Sequence, residues 1–365
     1  MTADIVVRFA PSPTGHFHVG GARTALFNYL FAKKNGGRFF LRIEDTDQTR
    51  YRPYAVQELI ESLAWLGIDW SDGPSKEELV ALGVDAVTAD QYGKTGGFVQ
   101  STRKELYKTH AQMLCDVGKA YKVFADESVE EGVKFSKASK QMGLDTWRNA
   151  SAFMVRKAEK AELPYHIRLK MPREGIAFCK DLLRGEIEFS YYRLHDPVLL
   201  KTDGMPTYHL ASVVDDHAMN VTHIIRNEEW LPSLPFHYYL YSSFNWIPPV
   251  FVHTASILNP SGKGKMSKRE TVALDGKTVV PSLVLQYKHA GFLPEAMINF
   301  MALTGWNPGL NKELFSKEDL ITLFSLKRLG MTGAAWDYSK LKKMNSVYIQ
   351  KLDVDTFVSM AKQFI

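Results

Sequence analysis

Arg8-Phe-Ala-Pro-Ser-Pro-Thr-Gly-His-Phe-His-Val-Gly-Gly21 follows a short apolar run, Ile5 to Val7, and precedes Ala25, Leu26, Tyr29 and Leu30, which recur at helical spacing. The stretch therefore reads as a strand, a loop and a helix start. Two prolines and three glycines keep the loop out of helix, and Gly20 and Gly21 let a ligand approach the backbone where the helix begins. A helix N-terminus carries unpaired N–H groups and positive potential, which favours an anion such as phosphate. His18 adds a donor at the same place. The glycine spacing matches neither Gly-x-Gly-x-x-Gly nor Gly-x4-Gly-Lys-Ser/Thr, so neither the dinucleotide nor the P-loop fingerprint applies.

Outward from this stretch, Arg38 to Ile43 reads as a second strand after the Gly36-Gly37 helix stop, and it runs into Glu44-Asp45-Thr46-Asp47. Strand, helix and strand at this length form a βαβ unit with parallel strands. Ligands collect beyond the carboxyl ends of such strands, so the loop after Val7 and Glu44 share one crevice. Pro53 opens a helix carrying Leu59, Ile60, Leu63 and Leu66 on one side and stopping at Gly67. Residues 71–100 show no clear period and read as an irregular excursion. From Lys104 to Val117 the pattern is an amphipathic helix with Leu106, His110, Met113, Leu114 and Val117 inward, and a basic, mostly helical stretch continues to Glu162.

Strands at Tyr165 to Met171, Gly185 to Ser190 and Pro197 to Lys201 then break the βα rhythm, as an inserted domain would. The rhythm resumes with a helix from Thr207 to Asp216, a strand from Val221 to Ile225 ending at Arg226, a helix from Trp230 to Phe244 and a strand from Val250 to Leu258. Helices at 280–290, 294–304, 317–324 and 337–345 make the end an all-α appendage.

With 365 residues, 45% of them hydrophobic, the chain can form two or three domains. Cys115 and Cys179 lie far apart and offer no paired metal-ligand spacing, which argues for a reducing compartment and against zinc or a disulfide framework. No apolar stretch approaches the roughly 20 residues of a spanning helix. These features fit a cytoplasmic protein with no membrane partner, an organelle matrix being the alternative. Net charge is +5, yet Arg103 to Arg173 alone holds fifteen Lys and Arg against nine Asp and Glu. That excess fits a surface for backbone phosphates, with a solvated helical face as the plainer alternative.

Past the strand at Val250, Gly262-Lys-Gly-Lys-Met-Ser-Lys-Arg269 places four cations and two glycines in one loop, suited to following a phosphate chain whose charge shifts. Arg8 to Gly21 resembles the first signature of class I aminoacyl-tRNA synthetases, with Gly21 where the general signature has a second His, and Lys265-Met-Ser-Lys-Arg269 resembles the second. The two stand in the right order, some 240 residues apart. Phe40-Leu-Arg-Ile-Glu-Asp-Thr-Asp47, Pro206-Thr-Tyr-His-Leu-Ala211, Val213-Val-Asp-Asp-His217 and Ile224-Ile-Arg-Asn-Glu-Glu-Trp230 are similar to the glutamyl branch, and the resemblance runs from Val7 to about Tyr348.

The resemblance implies ATP-dependent activation of L-glutamate and its transfer to tRNA(Glu), with Mg2+ bridging the phosphates and no dedicated protein cage for it. It implies an ATP site of Thr14, His18, Gly20, Gly21, Lys265, Met266, Ser267, Lys268 and Arg269, in which His18, Lys265 and Lys268 stabilise the developing charge. Arg8 and Arg226 take the two carboxylates of glutamate with Tyr208 helping; Glu44 and Ser12 hold its α-amino group, and Ala10 and Ser212 border the pocket. Trp230 reads equally as core packing. Arg148, Arg156 and Lys157 are the candidates for tRNA contact.

The expected architecture is α/β: a Rossmann-like parallel-sheet domain in two halves, 1–103 and 201–260, split by an α+β acceptor-binding insert, 104–200. Residues 261–365 follow with the basic loop and an all-α stem-contact region. Two departures from the family's wording stand out: Gly97-Phe-Val-Gln-Ser101 after an unusual 71–96 segment, and Ser212 where Asn is usual. With seventeen residues beyond Tyr348, the expectation is a monomer lacking most or all of an anticodon-binding domain. The competing readings are a shortened paralogue that glutamylates a modified base of tRNA(Asp) and a catalytically silent tRNA-binding protein. The helices after residue 280 weigh against the first, and the intact basic loop with His18 against the second.

Overall fold

The structure, a computed structural model, describes residues 4–124, 146–266, 271–273 and 275–362. Strand β1, Val6–Phe9, lies parallel to β2, Arg38–Leu41, with Val6 opposite Arg38. Helix α1, Val19–Lys34, joins them and is buried almost all round, through Val19, Ala22, Ala25, Leu26, Phe27, Tyr29, Leu30 and Ala32. A helix with so little polar surface belongs between layers rather than on one. It ends where Gly36 adopts φ 63°, a conformation that costs glycine little. Helix α2, Tyr54–Trp65, follows with Leu59, Ile60 and Leu63 inward, as the sequence period requires.

Residues 71–100 are not irregular as expected: they hold two short helices, α3, Lys76–Ala81, and α4, Ala86–Tyr92. Ser75 and Glu78 form a reciprocal cap on the first and Asp85 caps the second, so local capping stabilises what the hydrophobic pattern left unmarked. Helix α5, Lys104–Asp116, is where expected but turned. Its buried face is Tyr107, Ala111 and Leu114, whereas Met113 and Val117 are 48% and 63% exposed. The tyrosine decides the rotation, because its hydroxyl reaches the buried carboxylate of Asp215 at 2.7 Å.

The region after α5 departs from mostly helical. Strand β3, Ala120–Phe124, opens it, and 125–145 lie outside the described residues. Helix α6, Ala152–Lys160, precedes β4, Tyr165–Leu169, which pairs antiparallel with both β3 and β7, Val198–Leu200. Between them stands a hairpin of β5, Ile176–Asp181, and β6, Gly185–Ser190. Strand β5 went unread because Lys180 and Asp181 interrupt its apolar run, although Ala177, Cys179 and Asp181 alternate inward.

The parallel layer resumes with α7, Tyr208–Ala218, β8, His223–Asn227, α8, Leu234–Ser243, and β9, Val250–Thr254. Strands β8 and β9 pair in parallel, and the start of β8 is tied to β1 by the Thr222 N–H donating to the Val6 carbonyl at 2.9 Å. The carboxyl ends of β1, β2 and β8 therefore open on one side. Among the described residues the end of the chain is mainly helical, with short pairings of Ile257–Leu258 with Ala334–Ala335 and of Thr271–Val272 with Val279–Val280. Among the described residues no helix is long and apolar enough to cross a membrane.

Arg148 is not a free surface cation. It ion-pairs with Asp196 and donates to the Met171 carbonyl at 2.6 Å. Asp196, fully buried, also accepts from Tyr121 at 2.9 Å and Arg173 at 3.1 Å. Removing one member of such a buried cluster strands the others, so Asp196→Ala should cost this region about 3–5 kcal/mol. Limited proteolysis is expected to cleave the variant within 104–200 under conditions that leave the native chain intact; equal protection would contradict the cluster's role.

Candidate functional site

A cleft of about 580 Å3 lies beyond the carboxyl ends of β1, β2 and β8, a size usual for small-ligand sites. Its floor is charged but almost wholly neutralised. Arg8 donates from Nε and Nη2 to the two oxygens of Asp216 at 3.0 and 3.2 Å, a fork-like pair. Arg42, fully buried, donates to Asp216 at 2.8 Å and to Glu44 at 2.9 Å. Asp215 accepts from Arg103 at 2.8 Å and from Gln100 at 2.9 Å. Burial pushes the Glu44 carboxyl up despite Arg42, while at Asp216 burial is outweighed by Arg42 and Arg8, which hold that carboxyl low.

Arg226 differs. It is 5% exposed, and among the described residues no carboxylate is bonded to it. Its Nη1 donates to the Tyr208 hydroxyl at 2.7 Å and its Nε to His253 Nε2 at 2.9 Å. Burial accordingly pushes its pKa down. Tyr208 lies against the Trp230 ring, centroids 4.3 Å apart, so Trp230 forms cleft wall rather than core. Behind them His237 and His209 are kept neutral, chiefly by burial.

The opposite wall is the loop into α1. Its extended course is fixed by N–H donors from the next segment: Arg42 to the Phe9 carbonyl, Glu44 to Pro11 and Arg52 to Pro13, at 2.9, 3.0 and 2.9 Å. The prolines cannot donate, but their carbonyls still accept. His18 caps α1, its Nδ1 accepting from the Gly20 N–H at 3.0 Å. That bond assigns the ring proton of a neutral His18 to Nε2. The Gly21 N–H is also engaged, by the His18 carbonyl at 2.9 Å. Both amides expected to face phosphate are therefore occupied within the chain, that of Gly20 by the His18 ring and that of Gly21 by the His18 carbonyl. The glycines matter for space: a Cβ at Gly21 would sit 2.9 Å from Phe17 Cε2, and one at Gly20 3.2 Å from His18 Nδ1.

Of the residues singled out by sequence, Arg8, Ala10, Ser12, His18, Gly20, Gly21, Glu44, Tyr208, Arg226, Lys265 and Met266 line this one cleft. Thr14 does not, its N–H being turned to the Ser12 carbonyl at 2.9 Å. Ser212 lies below the floor, 3.5 Å from Asp216. Lys265 ion-pairs with Glu229 on the rim, and Ser267, Lys268 and Arg269 lie outside the described residues. Arg156 and Lys157 are exposed on α6. The sequence reading missed His16, Thr24, Asn227 and Glu229, all lining residues. Asn227 and Glu229 were legible as neighbours of Arg226 just past a strand end; His16 and Thr24 carried no signal beyond adjacency to His18.

Residues 4–343 match the family described as tRNA synthetases class I (E and Q), catalytic domain. The chain is 42% identical to a glutamate–tRNA ligase of Christiangramia forsetii over 97% of this chain and 70% of that protein. It is 44% identical to one of Flavobacterium johnsoniae over 100% and 72%. A crystal structure of a glutamate tRNA ligase from Elizabethkingia meningosepticum in complex with its amino acid superposes with a TM-score of 0.83 at 34% identity, covering 99% of this chain and 72% of that one.

The buried histidines set a pH limit. Burial lowers His209 to about 4, below the roughly 6.5 of an unfolded histidine, so the unfolded state takes the proton first. This contribution to stability is intact above about pH 6.5 and is lost progressively as pH falls toward 4. Histidine NMR titration should find His209 neutral throughout pH 5.5–8, and a midpoint near 6.5 would contradict the burial argument.

Proposed function

Because the chain belongs to the class I tRNA synthetases of the E and Q type, we propose a residue-level assignment for the reaction it catalyses. The protein is a glutamate–tRNA ligase: it uses ATP to activate L-glutamate and transfers the glutamyl group to tRNA. In the first step a glutamate carboxylate attacks the α-phosphorus of ATP and pyrophosphate leaves, so charge grows on the departing oxygens. Positioning and electrostatics carry such a step.

One observation carries the assignment. Arg8, Arg42 and Arg103 are matched by Glu44, Asp215 and Asp216, which among the described residues leaves Arg226 as the one floor cation without a directly bonded carboxylate. Free glutamate has two carboxylates and one ammonium, a net charge of −1, and the floor has a surplus of +1 to meet it. Arg226 and Tyr208 therefore take one carboxylate. Arg8, with its outward edge beyond Asp216, takes the second. Glu44 and Ser12 receive the α-ammonium beside Ala10, and Ser212 supports Asp216 from below. Glutamine, being neutral overall, leaves a buried guanidinium unmatched.

ATP would lie along the opposite wall, over Gly20, Gly21 and Met266, with the His18 Nε2–H donating to phosphate oxygens. Lys265 would exchange Glu229 for the triphosphate. Lys268, with Ser267 and Arg269, is assigned by its motif alone. Mg2+ would be carried by the phosphate oxygens, whose charge it would neutralise. Exposed Arg156 and Lys157 would meet the tRNA acceptor arm. Residues 104–200 would form the insert between the sheet's halves, 1–103 and 201–260, and 261–365 the stem-contact region, in a monomer working where translation occurs.

Glutamate-dependent release of pyrophosphate from ATP in the presence of tRNA(Glu) tests the assignment. His18→Ala should slow it by roughly 100-fold, about 3 kcal/mol, at temperatures where the variant, short of the ~1 kcal/mol of its α1 cap, is still folded. Native turnover in that variant would remove His18 from the site.

A further inference from the structure

The guanidinium of Arg226 is aimed by two groups that the assignment above does not use. His253, on β9 beside the strand of Arg226, is fully buried and accepts the Arg226 Nε–H at its Nε2, 2.9 Å away. Its Nδ1 lies 2.7 Å from Asp181 Oδ2, and the same oxygen accepts the His253 backbone N–H at 3.0 Å. Asp181 is 4% exposed, and its Oδ1 accepts the N–H groups of Leu183 and Arg184 at 3.0 and 3.1 Å. Burial alone would raise this carboxyl, but the bonds from His253 and the two amides hold it low, hence ionised.

A carboxylate cannot donate, so Nδ1 of His253 must carry the proton and Nε2 must present its lone pair. The tautomer is dictated from both sides. An imidazolium would set an Nε2–H against the Nε–H of Arg226, and burial, the larger effect, together with Arg226 keeps the ring neutral. Phe251 supports the guanidinium from another direction, its ring centroid 5.4 Å from Arg226 Cζ. With Nε committed, Nη1 is turned to Tyr208 and Nη2 to the Trp230 carbonyl, 3.4 Å away, both residues being part of the cleft wall.

We propose that Asp181 and His253 are positioning residues for substrate recognition, forming a carboxylate–imidazole–guanidinium chain that orients Arg226 toward the substrate carboxylate. The imidazole does what a directly bonded carboxylate could not: it fixes the rotation of the arginine without cancelling its charge at the cleft. Asp181 ends β5 of the hairpin at 176–190, so that hairpin contributes to the geometry of a pocket on the parallel sheet. The inference rests on the assignment of Arg226 to glutamate binding.

The test is steady-state pyrophosphate release by the full chain with tRNA(Glu), varying glutamate and ATP separately in Asp181→Asn, His253→Leu, His253→Gln and Arg226→Ala. In Asp181→Asn the new amide that keeps its oxygen toward Leu183 and Arg184 turns its NH2 toward His253, at the loss of the acceptor for the His253 backbone N–H. That reverses the tautomer and points a donor at Arg226. Asp181→Asn and His253→Leu should each raise the glutamate KM about 30-fold or more while the ATP KM stays within about threefold. His253→Gln retains an acceptor for Arg226 and should recover most of that loss. A glutamate KM within about threefold of native in both Asp181→Asn and His253→Leu, with Arg226→Ala raising it more than about 100-fold, overturns the inference and leaves the pocket assignment standing. Glutamate and ATP KM values rising together also overturn it, since a merely structural role predicts that. An unchanged glutamate KM in Arg226→Ala overturns the pocket assignment and the inference with it.

Discussion

An arginine held in a buried site without a directly bonded carboxylate is costly, because desolvation penalises its charge and no ion pair offsets it. The molecule meets part of that cost with the Tyr208 hydroxyl, the His253 lone pair and the Phe251 ring. Each stabilises a cation without neutralising it. The nearby arginines show the contrast: Arg8 and Arg42 share Asp216, and Arg103 is bonded to Asp215. On the proposed assignment a substrate carboxylate completes what the protein leaves unfinished at Arg226, and the desolvation penalty becomes selectivity when the right ligand arrives.

The rest of the architecture keeps two walls at fixed separation from that charge. One wall is the loop into α1, whose carbonyls at Phe9, Pro11 and Pro13 are gripped by the segment after β2, so it cannot drift from Glu44. The helix it enters is anchored at depth. Arg23 donates to the Thr304 carbonyl at 2.9 Å and to the Ala255 carbonyl, tying α1 to the helical region and to the turn after β9. Burial lowers Arg23 to about 10, partly opposed by Glu228. Still protonated at neutral pH, it is a cross-brace made from backbone acceptors. The second wall, Tyr208 and Trp230, stands on the segments flanking β8, so both walls move only if the parallel layer does.

Much of this was legible from residues whose type and position answer one physical demand. Two glycines after a His at a helix start, an arginine at each of two strand ends and a lysine-rich loop past another strand announced one crevice, and the glycines, the His, both arginines and, from the loop, Lys265 and Met266 line it. The inserted strands were readable where apolar residues alternate, as at Tyr165 to Leu169, and β5 was missed where Lys180 and Asp181 broke the pattern. Asp181 had been invisible for the reason that makes it useful: a buried carboxylate looks like a surface residue until its partner, 72 positions away, is beside it. Arg148 erred the other way, a cation read as surface that is spent on Asp196. Hydrophobic period also misplaced the face of α5, because the Tyr107 to Asp215 bond is long-range and leaves no local mark. Pattern reveals elements; pairing across the fold is what sequence hides.

The central claim is that the surplus charge of Arg226 selects an amino acid with a net negative charge. The most direct test is the ratio of kcat/KM for glutamate over glutamine in pyrophosphate release, measured for the native chain and for Arg226→Gln. Whichever carboxylate the guanidinium touches, its removal takes away the floor's surplus charge and costs the anionic substrate more than the neutral one. The ratio should fall by about 100-fold or more, roughly 3 kcal/mol. A ratio in Arg226→Gln within about threefold of the native value would contradict the account and place the discriminating charge elsewhere.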